Sequence, residues 1–257
     1  MPRPFRLAAL ADLHCRADQH GRFREMARAV NGEAEGLVLC GDLTDHGLVE
    51  EAKTLAEALA LLRVPCAAVL GNHDYEGGQP REIVRLLREA QVSVLDGDYA
   101  IFDKRLGVAG AKGFGCGFDR GTLQAFGEPA IKAFVQEAVN ETLKLEAALG
   151  QIDTPHRVVI MHYAPIAATT EGEVPELRPF LGTSRLAVPV DAFGAQAIFH
   201  GHAHHGTLEG RTARGIPVYN VAMPLLKKAF DRRFRVIEIP DPSEQPGFEE
   251  PASYGPH

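Results

Sequence analysis

Five apolar runs in this chain stop at the same kind of place. FRLAALA runs into Asp12-Leu13-His14, GLVLC into Gly41-Asp42, CAAVL into Gly71-Asn72-His73-Asp74, RVVIM into His162, and AQAIFH into Gly201-His202-Ala203-His204. Each run has the length and aliphatic make-up of a buried strand, so each polar stop marks where the main chain leaves the core. Helical patterns separate or follow the first three, in FREMARAV, LVEEAKTLAEALALL and REIVRLLREA. This alternation is the βαβ pattern of a largely parallel sheet. Sheets of that kind bind ligands beyond the carboxyl ends of their strands. The five stops are therefore expected to converge on one spot.

Further along, VSVL, YAIF and RLGVAGA follow one another without helices between them, which predicts antiparallel strands and a change of sheet character. A long helix is expected over PAIKAFVQEAVNETLKLEAAL, and IPVYNVA and RFRVIEIP read as closing strands. One α/β domain over residues 1–239, two packed sheets with flanking helices, accounts for this order, and 257 residues at 45% hydrophobic supply the core. From Pro240 the tail PDPSEQPGFEEPASYGPH is proline-rich and acidic, a composition expected to be disordered.

The formal net charge is -7 and no basic block occurs, which argues against a nucleic-acid partner. No apolar segment approaches the roughly 20 residues that span a bilayer. Asp12 and His14 interrupt the apolar start too early for a secretory h-region, so the expected compartment is cytoplasmic. The four cysteines, Cys15, Cys40, Cys66 and Cys116, lack CxxC spacing and read as reduced, buried thiols. Cys15, beside His14, is the one whose redox sensitivity stays open.

Taken singly, the polar stops are ordinary. DLH suits a turn, GNHD suits a β-turn, and His162 alone reads as a hydrogen-bonded structural histidine. GHAH is stronger, because alternate histidines in an extended segment point the same way. Together, two aspartates, an asparagine and four histidines exceed what one four-coordinate ion uses, which implies two metals. Mixed oxygen and imidazole donors without thiolate suit Mn, Fe or Zn better than calcium or copper(I). Asp42, between the other donors in chain order, is the natural bridge.

In this order the blocks resemble those of the calcineurin-like metallophosphoesterases, DxH, GDxxDxG, GNH(D/E), H and GHxH. The resemblance runs from about Phe5 to Ala222. It implies a four-layer αββα sandwich of two mixed β-sheets flanked by helices. It also implies that Asp12, His14, Asp42 and His204 hold one metal, and Asp42, Asn72, His162 and His202 the other. His73 would face the substrate, stabilising phosphate charge or protonating the leaving oxygen. Asp45 would orient that histidine through its carboxylate and favour the protonated ring; the alternative for Asp45 is a loop cap. Asp74 is open between a turn-stabilising and a catalytic role, and His46 and His205 read as solvated rim. The reaction implied is hydrolysis of a phosphate ester by in-line attack of a hydroxide bridging two ions about 3.5 to 4 Å apart.

Substrate choice falls to loops outside the blocks, which carry Lys112, Arg120, Arg178 and Arg185 as candidate anion contacts. AKGFGCGFDR is not a P-loop, since no lysine followed by serine or threonine closes it. A compact chain with no docking domain points to a small-molecule phosphodiesterase. A phosphomonoesterase is the alternative among enzymes, and a non-catalytic metal-binding scaffold of the same fold is the alternative outside them. The filled ligand positions speak against the scaffold. Oligomeric state stays open, a homo-oligomer included.

Overall fold

The computed structural model describes residues 4–240. In chain order the elements are β1 (Phe5–Leu10), α1 (His20–Glu33), β2 (Gly36–Cys40), α2 (Val49–Leu59), β3 (Cys66–Val69), α3 (His73–Glu76), α4 (Pro80–Glu89), β4 (Val92–Val94), β5 (Asp98–Phe102) and β6 (Leu106–Gly110). After these come α5 (Pro129–Leu149), β7 (His156–Ile160), α6 (Arg178–Leu181), α7 (Ala187–Phe193), β8 (Ala197–His200), β9 (Glu209–Arg211), β10 (Pro217–Asn220), α8 (Met223–Phe230) and β11 (Arg235–Ile239). The tail expectation, beyond Pro240, lies outside the described residues. No helix among the described residues is long and apolar enough to cross a membrane.

Local sequence explains the helices that shape the first sheet. In α2 the buried Ala52, Leu55, Ala56 and Leu59 recur at helical spacing, and Glu51 accepts the amides of His46 and Leu48 to cap the first turn. Pro80 and Pro129 open α4 and α5, where a missing N–H costs nothing.

The strands form two mixed sheets. One has the order β11-β1-β2-β3-β4, parallel except for β11, which pairs antiparallel with β1. The other has the order β5-β6-β7-β8-β10-β9, parallel inside and antiparallel at both edges. The change of sheet falls between β4 and β5, and the β5 and β6 strands are antiparallel as their short connection predicts. β4 differs from the expectation: it is parallel to β3, because α4 supplies the crossover between them.

Alternation along the inner strands separates the layers. Val108, Val158 and Ile160 join the main core with Leu7, Leu39 and Val69, and with Phe23, Leu55 and Ile83 of the helices over the first sheet. Their neighbours Ala109, Val159 and Met161 face a second core with Leu145 and Leu149 of α5 and Val190 of α7. Period-two patterning thus makes the second sheet a wall between two apolar layers.

Candidate metal centre

All five polar stops lie together past the carboxyl ends of β1, β2, β3, β7 and β8. The DLH and GDLT segments run side by side beyond their strands: the amides of Asp12, His14 and Cys15 donate to the carbonyls of Gly41, Asp42 and Leu43 at 3.0 Å each. Asp12, His14, Asp42 and His202 adopt left-handed backbone, with φ of 55°, 42°, 48° and 68°. Such conformations cost non-glycine residues on the order of 1–3 kcal/mol each and persist where surrounding structure enforces them. Here they aim consecutive side chains at one point.

Two glycines make room for that convergence. A Cβ on Gly71 would stand 2.2 Å from the Asp42 amide nitrogen and Oδ1, and one on Gly201 would stand 2.4 Å from Asp12 Oδ2. At Gly71 and Gly201 the residue is small because a neighbouring donor occupies its side-chain space.

The predicted ligands fall into two groups. Asp12, His14 and His204 offer ligand atoms within 4.8 Å of one another, as do Asp42, His162 and His202, and His14 also meets Asp45 and His73 at that spacing. His204 Nε2 is 2.9 Å from Asp12 Oδ1, and Asn72 Oδ1 is 2.9 Å from His162 Nε2. Asp42 stands between the groups. Its Oδ1 faces His162 Nε2 at 3.3 Å, and its Oδ2 faces His14 Nε2 at 3.9 Å.

Three observations test whether these residues suit cations. Both ring nitrogens of His14 are buried without a hydrogen-bond partner among the described residues. Burial lowers the pKa of His14, lowers that of His162 far, and takes His202 down to about 3, so these rings are neutral, the form that ligates metal. Burial, then Asp12 and Asp74, push Asp42 up to about 9, and a positive charge among these donors would restore its carboxylate. The donor set fits metal ions, with the first group able to hold one and the second another.

His73 stands beside them on the short α3. Its amide donates to Asp42 Oδ1 at 2.9 Å, and its Nδ1 lies 2.7 Å from the main-chain carbonyl of Asp45. A carbonyl only accepts, which assigns the proton to Nδ1 and turns Nε2 toward Asp42 Oδ2, 4.0 Å away. The carboxylate of Asp45 pairs with His14 Nδ1 at 3.5 Å, with Arg16 and His46 at its edge, and lies within 4.8 Å of a His73 ring nitrogen. The hydrogen bond to His73 Nδ1 is thus made by a main-chain atom of Asp45, a contact invisible in the sequence, with Glu76 Oε1 3.6 Å from the same nitrogen.

Asp74 is fully buried and accepts from the Leu43 amide, the Thr44 amide and hydroxyl, and the Gly71 amide at 2.6–3.1 Å. That is the turn-stabilising alternative: it ties the GDLTDHG loop to the GNHD loop. His46 and His205 are exposed at the rim. His200, preceding GHAH, is spent on Thr169 Oγ1 and the Gly201 carbonyl, each at 2.8 Å. Cys15 is buried, and burial followed by Glu51 pushes its thiol up to about 12, which disfavours the thiolate that oxidation needs.

Of the loop cations, Arg178 bonds Thr170 Oγ1 and the Ala167 carbonyl, and Arg185 reaches the Leu123 carbonyl; Arg120 is exposed. Lys112 alone abuts the centre, its carbonyl accepting the His162 amide at 2.9 Å. Tyr163, which the motifs do not mark, tilts against the His202 ring with centroids 4.5 Å apart.

Comparison with known proteins agrees with this geometry. The solved structures that resemble the chain include phosphopantetheinyl hydrolase (PptH) from Mycobacterium tuberculosis, with 18% identity over 95% of this chain and 99% of that one and a TM-score of 0.64. Another is TT1561 of Thermus thermophilus, with 15% identity over 92% and 100% and a TM-score of 0.58. At such identities the likeness shows the shared fold. A comparison with curated protein sequences finds no significant match. The family profile described as calcineurin-like phosphoesterase matches residues 5–206, a span that takes in every strand-end donor from Asp12 to His204. By that match, the chain belongs to the calcineurin-like phosphoesterases.

Proposed function

We propose that this metal-dependent phosphoesterase is a hydrolase of small-molecule phosphodiesters, with Asp12, His14, Asp42 and His204 at one metal and Asp42, Asn72, His162 and His202 at the other. The observation that carries the reading is Asp42, whose two oxygens face two different imidazole groups. A bridging carboxylate needs that disposition. Two bound ions, drawn from Mn, Fe or Zn, would supply an activated water and neutralise phosphoryl oxygens.

The chain's own residues do the rest. Asp74 and the tight glycines hold the loops in register. His73, its Nδ1 proton donated to the Asp45 carbonyl, presents Nε2 to the substrate, where a proton on that atom is placed to pass to the departing oxygen. Local positive charge resolves how an acidic protein handles an anionic substrate.

The test is metal analysis of the purified protein, followed by rates of the manganese-reconstituted enzyme on bis-p-nitrophenyl phosphate and p-nitrophenyl phosphate, with His73→Ala as background. About two ions per chain and a faster diester rate are expected. A faster monoester rate would overturn the diesterase assignment in favour of a monoesterase. Bound metal with no His73-dependent rate on either substrate would overturn catalysis of simple esters altogether.

A further inference from the structure

Beside the centre lies a cavity of about 470 Å³, within the range of small-molecule sites. Its lining adjoins the metal centre without including the donors themselves. Leu70 at its floor precedes Gly71, Tyr75 on its rim is two residues past His73, and Lys112 lends its carbonyl to the His162 amide.

The charge of this cavity runs against that of the protein. Arg81, Arg88 and Lys112 line it, with Asp96 as the one carboxylate, and Asp96 is held by Lys144 at 2.8 Å. On α4 the two glutamates Glu82 and Glu89 pair with Arg85, leaving Arg81 and Arg88 on the face that meets the cavity. Among the described residues, Arg88 donates to the Val94 carbonyl at 3.0 Å and the Lys112 ammonium to the Gly113 carbonyl at 2.8 Å. Among the described residues, none of the three cations has a carboxylate within ion-pairing distance.

The remaining walls are apolar. Val84 and Leu95 face the cavity, and Tyr75 is 43% exposed there. Lys112 sits 5.0–5.8 Å from the ring centroids of Tyr75, Phe114 and Tyr163, so aromatic faces frame its charge, while Glu141, Glu137 and Asp96 act on it from beyond ion-pairing distance. Cations without direct ion pairs beside apolar walls select a ligand with a negative group on an apolar or aromatic body.

We propose that this cavity is the leaving-group subsite, and that it takes alcohols bearing a second phosphate on an aromatic or apolar body. The inference rests on the phosphoesterase reading of the centre. One phosphate would occupy the metal centre while the other meets Arg81, Arg88 and Lys112.

The probe is adenosine 3′,5′-bisphosphate, set against adenosine 5′-monophosphate, each as a competitor of bis-p-nitrophenyl phosphate hydrolysis by the manganese-loaded full chain. The bisphosphate is expected to inhibit about tenfold more tightly, as one charge-assisted contact gives. In the Arg81→Gln, Arg88→Gln protein that ratio should fall to about one, and in the Arg81→Lys, Arg88→Lys protein most of it should return. The ratio is read within each protein, so changes in basal rate cancel. A wild-type ratio near one, or a ratio unmoved by the glutamine pair, would overturn the proposal. If no hydrolysis is detected, the same comparison by titration calorimetry on the metal-loaded protein keeps the cavity testable, and separates failure of the subsite from failure of the catalytic reading.

Discussion

Asp42 and His73 touch each other, yet they should fail differently when changed. Asp42 offers one oxygen to each donor group, so Asp42→Asn removes charge from both and is expected to lose metal and activity together. His73 offers its amide to Asp42, a main-chain contact that His73→Ala retains; turnover should drop about 10²- to 10⁴-fold with metal content largely kept. Mass spectrometry of bound metal beside steady-state rates checks both, and equal metal loss would contradict the division. Asp45 gives a sharper test. Since its carbonyl holds His73 while its carboxylate faces His14, Asp45→Asn should weaken metal affinity about 10- to 100-fold and leave kcat at saturating metal nearly intact. A large fall in kcat at saturating manganese would return the orienting task to the carboxylate. The proposed ligands are legible in the sequence because residue type and strand-end position both mark them. The Asp45 carbonyl is not, since every residue has one, and neither are Arg81 and Arg88, whose role depends on where Arg85 finds its partners.

Strand ends carry the proposed ligands, and Asp74 ties together the loops beyond two of those ends. It serves two loops from a fully buried position, with the amides of Leu43, Thr44 and Gly71 all directed at its oxygens. Asp74→Ala would leave those amides without a partner inside the protein, a loss of about 3 kcal/mol or more, and should weaken metal binding as the loops part. Denaturant unfolding of metal-stripped and metal-loaded protein measures both effects; an unaltered midpoint would show that the loops are held by other means. The elements themselves are readable where periodicity is long: α2, α4, α5 and the inner strands. Short elements escape notice. Glu209–Arg211 has only three residues, two of them charged, and becomes a strand by pairing with β10; Met223–Phe230 becomes a helix whose buried Met223, Leu225 and Leu226 are fixed by tertiary packing. Sequence order alone sets β4 beside the antiparallel strands, because proximity along the chain says nothing of which sheet edge α4 delivers it to.

At the scale of the whole molecule, the sandwich gathers the seven proposed ligand side chains and a left-handed backbone at one seam, so on that proposal part of its stability is tied to what the seam binds. Without a cation, the folded Asp42 carboxyl is held near a pKa of about 9, against about 3.9 for an unfolded aspartate. The folded state then keeps a proton that the unfolded state releases between those values. Proton linkage makes such a group's contribution fade as pH rises through that window, the reverse of an ordinary salt-bridged aspartate. Below the ordinary histidine pKa of about 6.5 the buried, neutral His14, His162 and His202 oppose this trend, so the metal-stripped protein should lose melting temperature from about pH 7 to pH 9. Bound cations reverse the sign locally by favouring the carboxylate and neutral imidazoles. At a hundredfold excess over Kd each ion adds about 2.7 kcal/mol, or roughly 5 to 10 °C for a chain of this size. Calorimetric scans across that pH range, with chelator and with manganese, should diverge progressively toward high pH. Parallel curves would mean that the seam is stable without its ions, and that the buried carboxyls are compensated by the protein alone.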